Sequence, residues 1–324
     1  MVAGNVVAAV SGFGAAAGHD LAAAGRQMWS RRGGVVGSGN ALGNRLVGRS
    51  IVGGRVVFGC GRGSVMVFAV AGDGVRLAYQ SVGDGFPLLL LSGQSNNHHW
   101  WDGIREDFHG SHRTVTFDYR GTGDSDKPDI AYSTRGFAED AIAVLDAAGI
   151  DRADVYGTSM GGRVAQWIAA EYPGRVRALV LGCTSPGGKH GVDRGNEIRR
   201  LLADPATAQQ TLLDLMYTPD WLARTTGPYQ TVGDPEMPSF AQRRHLIASH
   251  RHDAWDALPT IAAPTLVVHG ADDRFNPTAN APLIADRIPG AELELIPAAR
   301  HAYFEEFRST ASPLVRDFLA SAIA

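Results

Sequence analysis

A serine, a pair of aspartates and a histidine, residue types that together can activate a hydroxyl group, follow one another in that order along this chain. Residues 157–161 (GTSMG) have the G-x-S-x-G pattern of a sharp strand-to-helix turn that exposes its serine, Ser159. A serine hydroxyl is a weak nucleophile near neutral pH, so it needs a base, and the base needs an orienting acid. Asp272 and Asp273 follow an apolar run downstream, and His301 follows the next one. The order serine, acid, histidine predicts acyl-transfer chemistry.

A sheet must bring these separated residues together. Short apolar runs alternate with amphipathic stretches, and the predicted strands are residues 75–81, 88–91, 115–118, 155–156, 178–181, 265–268 and 292–296. Helices are predicted over residues 134–149, from the GTSMG turn to about residue 169, and over 305–322. This alternation predicts an α/β fold with a doubly wound, mostly parallel sheet. In such sheets, binding and catalytic residues lie at the carboxyl ends of the strands.

Residues 186–258 interrupt the alternation of strands and helices. They contain two predicted helices, 196–216 and 240–250, around a stretch rich in proline, glycine and threonine, and no predicted strand. An insertion of this size between two core strands predicts a helical cap that lies over the site. Residues 66–185 and 259–324 then form the core.

The N-terminal 65 residues have a different composition from the rest. They hold seven arginines, one aspartate and no lysine, and they contain 16 of the 40 glycines. Glycine loses the most backbone entropy on ordering, and no sustained period offsets that loss here, so we predict a disordered extension over residues 1–65. The first arginine comes only at position 26, which disfavours a secretory signal. One form of this hypothesis places the natural start at Met66.

Composition excludes several classes of protein. The chain has 30 Lys and Arg against 33 Asp and Glu, a formal net charge of −3, and 44% hydrophobic residues, which disfavours disorder and gives no basic surface for nucleic acid. Its two cysteines, Cys60 and Cys183, cannot form a disulfide framework. No apolar run approaches about 18 residues. We therefore expect a soluble, cytoplasmic protein without nucleic-acid or membrane partners; its oligomeric state stays open.

Four segments in this order resemble the α/β-hydrolase fold family with a helical cap. They are residues 118–125 (DYRGTGDS), 157–161 (GTSMG), 269–273 (HGADD) and 300–301 (RH). The resemblance implies that Ser159 is the nucleophile, Asp273 rather than the adjacent Asp272 is the acid, and His301 is the base. Some family members carry the acid after an earlier strand, but residues 182–185 (GCTS) offer no carboxylate there.

The resemblance also implies an oxyanion hole built from two backbone N–H groups. One belongs to Met160, directly after the nucleophile, and the other to the loop after residues 88–91. Related proteins usually have His-Gly in that loop, whereas this chain has Ser92-Gly93, so the second donor maps to Gln94. Such a mechanism needs no metal or organic cofactor. Residues 250–253 (HRHD) resemble part of a binuclear metal motif but lack companion ligands, so we predict no metal site.

Aromatic residues flank the predicted site. One of Trp100 and Trp101 is expected to pack in the core, and the other, with Met216, Tyr217 and Trp221 of the cap, is a candidate wall of an apolar acyl pocket. The alternative is that this cluster belongs entirely to the core.

The motifs most resemble those of small-molecule esterases and enol-lactonases such as 3-oxoadipate enol-lactonase. We therefore predict hydrolysis of a small carboxylic ester or lactone through an acyl-enzyme on Ser159. Carbon–carbon bond hydrolysis and perhydrolysis by the same triad remain alternatives, as does a small-molecule receptor with slow turnover. A dianionic lactone would need basic residues in the pocket, and the cap offers Arg194, Arg199 and Arg200, whose direction the sequence leaves open.

Overall fold

A computed structural model describes residues 50–52, 55–57 and 67–322. Within the predicted extension, it describes only two short strands, β1 (Ser50–Val52) and β2 (Arg55–Val57), which pair antiparallel. The rest of that prediction, including the hypothesis of a start at Met66, lies outside the described residues. The division of the chain into extension, core and cap therefore stays a prediction.

The core is one eight-stranded sheet. Its strands are β3 (Val67–Val70), β4 (Arg76–Val82), β5 (Phe86–Leu91), β6 (His112–Phe117), β7 (Ala153–Thr158), β8 (Val176–Gly182), β9 (Thr265–Gly270) and β10 (Glu292–Ile296). Their order across the sheet is β10-β9-β8-β7-β5-β6-β4-β3. In the order in which they lie across the sheet, the six strands β10, β9, β8, β7, β5 and β6 pair parallel to one another. Strands β4 and β3 complete one edge of the sheet and pair antiparallel. The predicted doubly wound, mostly parallel sheet is confirmed.

Helices pack on both faces of this sheet, and others form the segment between β8 and β9. The helices are α1 (Thr134–Ala147), α2 (Met160–Glu171), α3 (Asn196–Ala203), α4 (Ala208–Met216), α5 (Pro219–Arg224), α6 (Ser239–His250), α7 (Asn280–Ala285), α8 (Tyr303–Glu306) and α9 (Arg308–Ser321). Strand β5 shows why two layers form, because its four leucines are all buried and alternate between the faces. Leu89 and Leu91 join the hydrophobic layer of α1 and α2, and Leu88 and Leu90 join the layer of α9.

Two predicted helices are each divided in the structure. The helix predicted over 196–216 is the pair α3 and α4, because proline at position 205 cannot continue a helix and the Asp204 carboxylate accepts the Ala206 N–H. The helix predicted over 305–322 is the pair α8 and α9, which meet at Phe307. Helix α5 was not predicted; Pro219 opens it, and the Thr218 hydroxyl caps it by accepting the Trp221 N–H.

Helices α3 to α6 lie between β8 and β9, in the stretch predicted as a cap. Strand β8 and strand β9 are nevertheless neighbours in the sheet, so the insertion leaves the core continuous. Among residues 67–322, no helix is long and apolar enough to cross a membrane.

Candidate active site

Ser159 lies at the junction of β7 and α2 in a strained backbone conformation. Its φ is 55° and its ψ is −119°, which is rare for a residue with a side chain. The turn is tight because glycines flank it. A Cβ atom on Gly161 would lie 2.1 Å from the Leu91 carbonyl oxygen, and one on Gly157 would lie 2.2 Å from the Gly161 carbonyl oxygen. The half-buried serine is thereby presented at the start of a helix, as expected of a nucleophile elbow.

Two loops at the carboxyl edge of the sheet bring Asp273 to His301. Asp273 follows β9 and His301 follows β10, which are parallel neighbours. The His301 Nδ1–H donates to Asp273 Oδ2 over 2.8 Å, and both side chains are buried. Asp272, by contrast, is exposed. The structure thus joins Asp273, and not its neighbour, to the histidine.

Asp273 is held as a carboxylate. Its Oδ1 accepts the backbone N–H groups of Phe275 and Asn276, each over 2.9 Å, and His269 Nε2 lies 3.2 Å from its Oδ2. Burial alone would raise the pKa of Asp273, but attraction to His301 and hydrogen bonds from His269 and His301 together lower it below its usual range. The ionised acid fixes the proton of His301 on Nδ1 and leaves Nε2 free to accept another.

The Nε2 atom of His301 is buried and has no hydrogen-bond partner among the described residues. His301 and Ser159 both line one cavity of about 950 Å³ between the sheet edge and the inserted helices. Ring packing also holds the imidazole, because Phe275 meets it edge-on with 4.8 Å between the ring centroids. A proton acceptor without a partner therefore faces the same space as the strained serine.

The loop after β5 supplies the second predicted oxyanion donor. Gln94 lines the cavity, and within residues 67–322 neither its N–H nor that of Met160 donates to another protein group. The loop is fixed from several sides. Ser95, at φ 58°, donates its N–H to His245 Nδ1 on α6 over 3.4 Å, and Asn96 Nδ2 donates to the Gln94 carbonyl over 2.8 Å. Both predicted amides are thus free to bind a developing negative charge.

Two of the five predicted pocket residues line the cavity, and three do not. Trp100 and Met216 contribute to its wall. Trp101 lies instead in the core, with its ring centroid 5.1 Å from that of Tyr156. Tyr217 and Trp221 lie outside the cavity lining; their rings stack on each other with centroids 6.0 Å apart.

Sequence reasoning missed Arg163 and left the direction of the cap arginines open. Arg163 lies one helical turn after Ser159, so the two side chains share a face of α2, a spacing that the sequence already shows. It lines the cavity, as do Arg194, Arg199 and Arg200. Basic side chains therefore surround the space in front of the serine.

In the part of the chain that the structure describes, no group of three His, Cys, Asp or Glu side chains is arranged to hold a metal ion. Of the HRHD segment, His252 is buried and hydrogen-bonded to neutral side chains. Its Nδ1 lies 2.9 Å from Thr134 Oγ1 and its Nε2 lies 3.2 Å from Gln166 Oε1.

Known proteins share this architecture. A sequence profile of the alpha/beta hydrolase fold family matches residues 87–307. The 2-hydroxymuconate semialdehyde hydrolase of Pseudomonas sp. (strain CF600) is 30% identical over 266 residues, which cover 78% of this chain and 93% of that protein.

Two solved structures extend the comparison. A hydrolase from Pseudomonas aeruginosa PA01 is 28% identical with a TM-score of 0.69, covering 78% of this chain and 98% of that one. Est816, described as an N-acyl homoserine lactone degrading enzyme, is 31% identical with a TM-score of 0.66, covering 77% of this chain and 99% of that one. Because the family profile covers more than half of the chain, the chain belongs to the α/β-hydrolase fold family.

Proposed function

We propose that this protein is a serine hydrolase that cleaves small carboxylic esters or lactones through an acyl-enzyme on Ser159. One observation carries the proposal: His301 is bound through Nδ1 to the buried Asp273, while its unpartnered Nε2 and the strained Ser159 line the same cavity. A base oriented by an acid, with its second nitrogen free beside a serine, is the arrangement that activates a hydroxyl.

In the acylation step, His301 Nε2 accepts the proton of the Ser159 hydroxyl as its Oγ attacks the carbonyl carbon of the substrate. The carbonyl oxygen becomes an oxyanion, which accepts hydrogen bonds from the N–H groups of Gln94 and Met160. Because Met160 is the first residue of α2, the positive end of that helix adds to the stabilisation. His301 then donates its proton to the departing oxygen, and the acyl group stays on Ser159.

Deacylation repeats these steps with water as the nucleophile. His301 accepts a proton from water, the hydroxide oxygen attacks the acyl carbon, and the second oxyanion uses the same two amides. When the bond to Ser159 Oγ breaks, His301 returns the proton to the serine and the acid leaves. Asp273 stays ionised throughout and holds the imidazolium in place.

The cavity supports a small substrate. Its volume of about 950 Å³ lies within the usual range for small-molecule sites. The similarity to a lactone-degrading enzyme supports the ester and lactone reading. The similarity to a hydrolase of a semialdehyde supports a second candidate, hydrolysis of a carbon–carbon bond by the same residues.

Turnover and product analysis separate these candidates. We expect multiple turnovers with short-chain 4-nitrophenyl esters and with γ- and δ-lactones, and a loss of at least about 1,000-fold in kcat/KM for Ser159→Ala. Turnover of dienone substrates with no ester hydrolysis would favour the second candidate. A single stoichiometric burst, with no further turnover on any substrate, would instead indicate a receptor.

A further inference from the structure

The cavity in front of Ser159 contains two guanidinium groups that form no direct ion pair with a carboxylate among the described residues. Arg163 donates to the Ser249 carbonyl and hydroxyl over 2.6 and 2.7 Å, to Ser185 Oγ over 3.0 Å and to Asn276 Oδ1 over 3.3 Å. All of these partners are neutral, and its buried Nε has no partner among the described residues. Burial lowers the pKa of Arg163 to about 10, so the group remains a cation near neutral pH.

Arg194 adds a second guanidinium that forms no direct ion pair among the described residues. Its guanidinium carbon lies 4.0 Å from the ring centroid of Phe275, and among the described residues it makes no hydrogen bond or ion pair. Burial, with repulsion from Arg163 and Arg199, lowers its pKa to about 10, and the weaker attraction of Asp273 and Asp193 does not offset this.

The Arg194 guanidinium lies close to the catalytic residue His301 proposed above. The Phe275 ring also packs on His301, with 4.8 Å between ring centroids. The two distances place the Arg194 guanidinium no more than about 9 Å from the imidazole of His301. That separation spans a few carbon atoms, which is the length of a short acyl chain or lactone ring.

The other charged groups of the lining are either paired, hydrogen-bonded to backbone N–H groups or exposed to solvent. Arg199 pairs with Asp193 over 2.6 Å at the exposed rim. The Asp234 carboxylate accepts the N–H groups of Gly123 and Glu236 over 2.6 and 3.0 Å. Arg200 is exposed to solvent. Arg163 and Arg194 are therefore the lining cations that are shielded from solvent and form no direct ion pair among the described residues.

We infer that Arg194 and Arg163 form a subsite for a carboxylate of the substrate, so that the esters or lactones cleaved at Ser159 carry a second, anionic group. The inference rests on the proposed function. A guanidinium presents two parallel N–H donors that match a carboxylate, and partly buried cations gain most from an anionic ligand. Arg194, whose donors are all free, contacts the carboxylate directly, and Arg163 adds its charge from α2.

Two pairs of esters test this subsite in the full chain. The 4-nitrophenyl monoester of adipic acid is compared with 4-nitrophenyl hexanoate, which places the extra carboxylate on the acyl side. In the second pair, 4-acetoxybenzoate is compared with 4-methylphenyl acetate, which places it on the alcohol side. We expect kcat/KM to favour the carboxylate member of at least one pair by about tenfold or more. Arg194→Gln should abolish that preference, because it should lower kcat/KM for the carboxylate ester by about tenfold more than for its neutral partner.

Arg224→Gln is the matched control, since it removes the same charge from an exposed position on α5 outside the cavity. The preference should survive that change. Arg194→Lys keeps the charge but loses the paired donors, so it should retain part of the preference.

A binding measurement completes the test without requiring turnover. Adipate is titrated calorimetrically into Ser159→Ala and into Ser159→Ala/Arg194→Gln, and we expect about tenfold weaker binding to the double variant. The subsite is overturned if neither ester preference nor adipate affinity depends on Arg194. Ester hydrolysis without such dependence would leave the proposed function intact. Adipate binding that depends on Arg194, without hydrolysis of any ester, would support the subsite and contradict the proposed function.

Discussion

Ser159 reaches its strained conformation because the residues two positions before and after it, Gly157 and Gly161, lack side chains. Gly161 lies against the Leu91 carbonyl of the neighbouring strand, and Gly157 lies against the first turn of α2. The backbone at Ser159 is held by its N–H donating to the Gly182 carbonyl over 2.9 Å and by its own carbonyl accepting from Thr184 Oγ1 over 2.7 Å. Fixed backbone contacts on both sides maintain a conformation that a free chain would avoid.

Gly161→Ala should therefore destabilise the protein and impair its activity. The new Cβ would meet backbone oxygen 2.1 Å away, which no side-chain rotation can relieve. We expect a loss of at least about 2 kcal/mol in the free energy of unfolding, measured by urea denaturation. Gly174→Ala is the control, since its Cβ would meet no atom within 4 Å. Equal stability of the two variants would show that the elbow is not constrained as described.

Asp273→Asn should lower kcat by about 1,000-fold or more, because an amide can stabilise the wrong tautomer of His301. The adjacent Asp272→Asn is the matched control. Its carboxylate is exposed, so kcat should change less than about twofold. The rates are measured with a 4-nitrophenyl ester. Comparable losses of kcat in the two variants would mean that Asp273 is wrongly assigned as the acid.

At the scale of elements, α6 of the inserted segment supports the oxyanion loop of the core. His245 accepts the Ser95 N–H at Nδ1 and donates from Nε2 to the Arg120 carbonyl over 2.9 Å. This pattern requires the neutral imidazole. Burial lowers the pKa of His245 from 6.5 to about 4. The link between the inserted helices and the site is therefore sensitive to acid.

The sign of that sensitivity follows from proton binding. Between pH 6.5 and 4 the unfolded chain binds a proton at His245 that the folded chain does not, so stability falls as the pH falls through this window. From pH 7 to pH 5 the wild type should lose about 2 kcal/mol more unfolding free energy than His245→Gln. Urea denaturation at the two pH values measures the difference. Parallel losses in both proteins would mean that His245 titrates normally in the folded state.

The sequence predicts most of the strands because each is a short apolar run bounded by turn residues, and the triad because each member directly follows such a run. The sequence did not predict in which direction individual side chains point. Trp100 and Trp101 are neighbours in one short 3₁₀ helix, His98–Trp101, yet one donates its Nε1–H to Thr158 Oγ1 at the cavity and the other packs on Tyr156. Which neighbour points inward depends on long-range packing that no local pattern specifies.

At the scale of the whole molecule, buried hydrogen bonds attach the inserted segment to the core. Tyr217, which follows α4, directs its hydroxyl to the Glu305 carboxylate of α8 and to Thr231. Burial raises the pKa of Glu305, so this carboxyl group depends on its hydrogen-bond donor. The pairing fixes the segment that carries Met216 over the site.

Tyr217→Phe should cost about 1–3 kcal/mol of unfolding free energy, because it leaves the half-buried Glu305 carboxyl group and the buried Thr231 hydroxyl without their partner. Tyr229→Phe is the control. Within residues 67–322, the Tyr229 hydroxyl donates only to the nearby Thr225 carbonyl, over 2.6 Å, so its removal should cost less. If thermal unfolding showed the reverse order, the attachment of the inserted segment would lie elsewhere.

The central claim is that His301 activates Ser159 as a nucleophile. Labelling with a fluorophosphonate, followed by intact mass and peptide mapping, tests it most directly, because only an activated serine reacts readily. We predict one adduct, located on Ser159, that is lost in His301→Ala. An adduct on another residue, an adduct that persists in His301→Ala, or no adduct in the wild type would contradict the account.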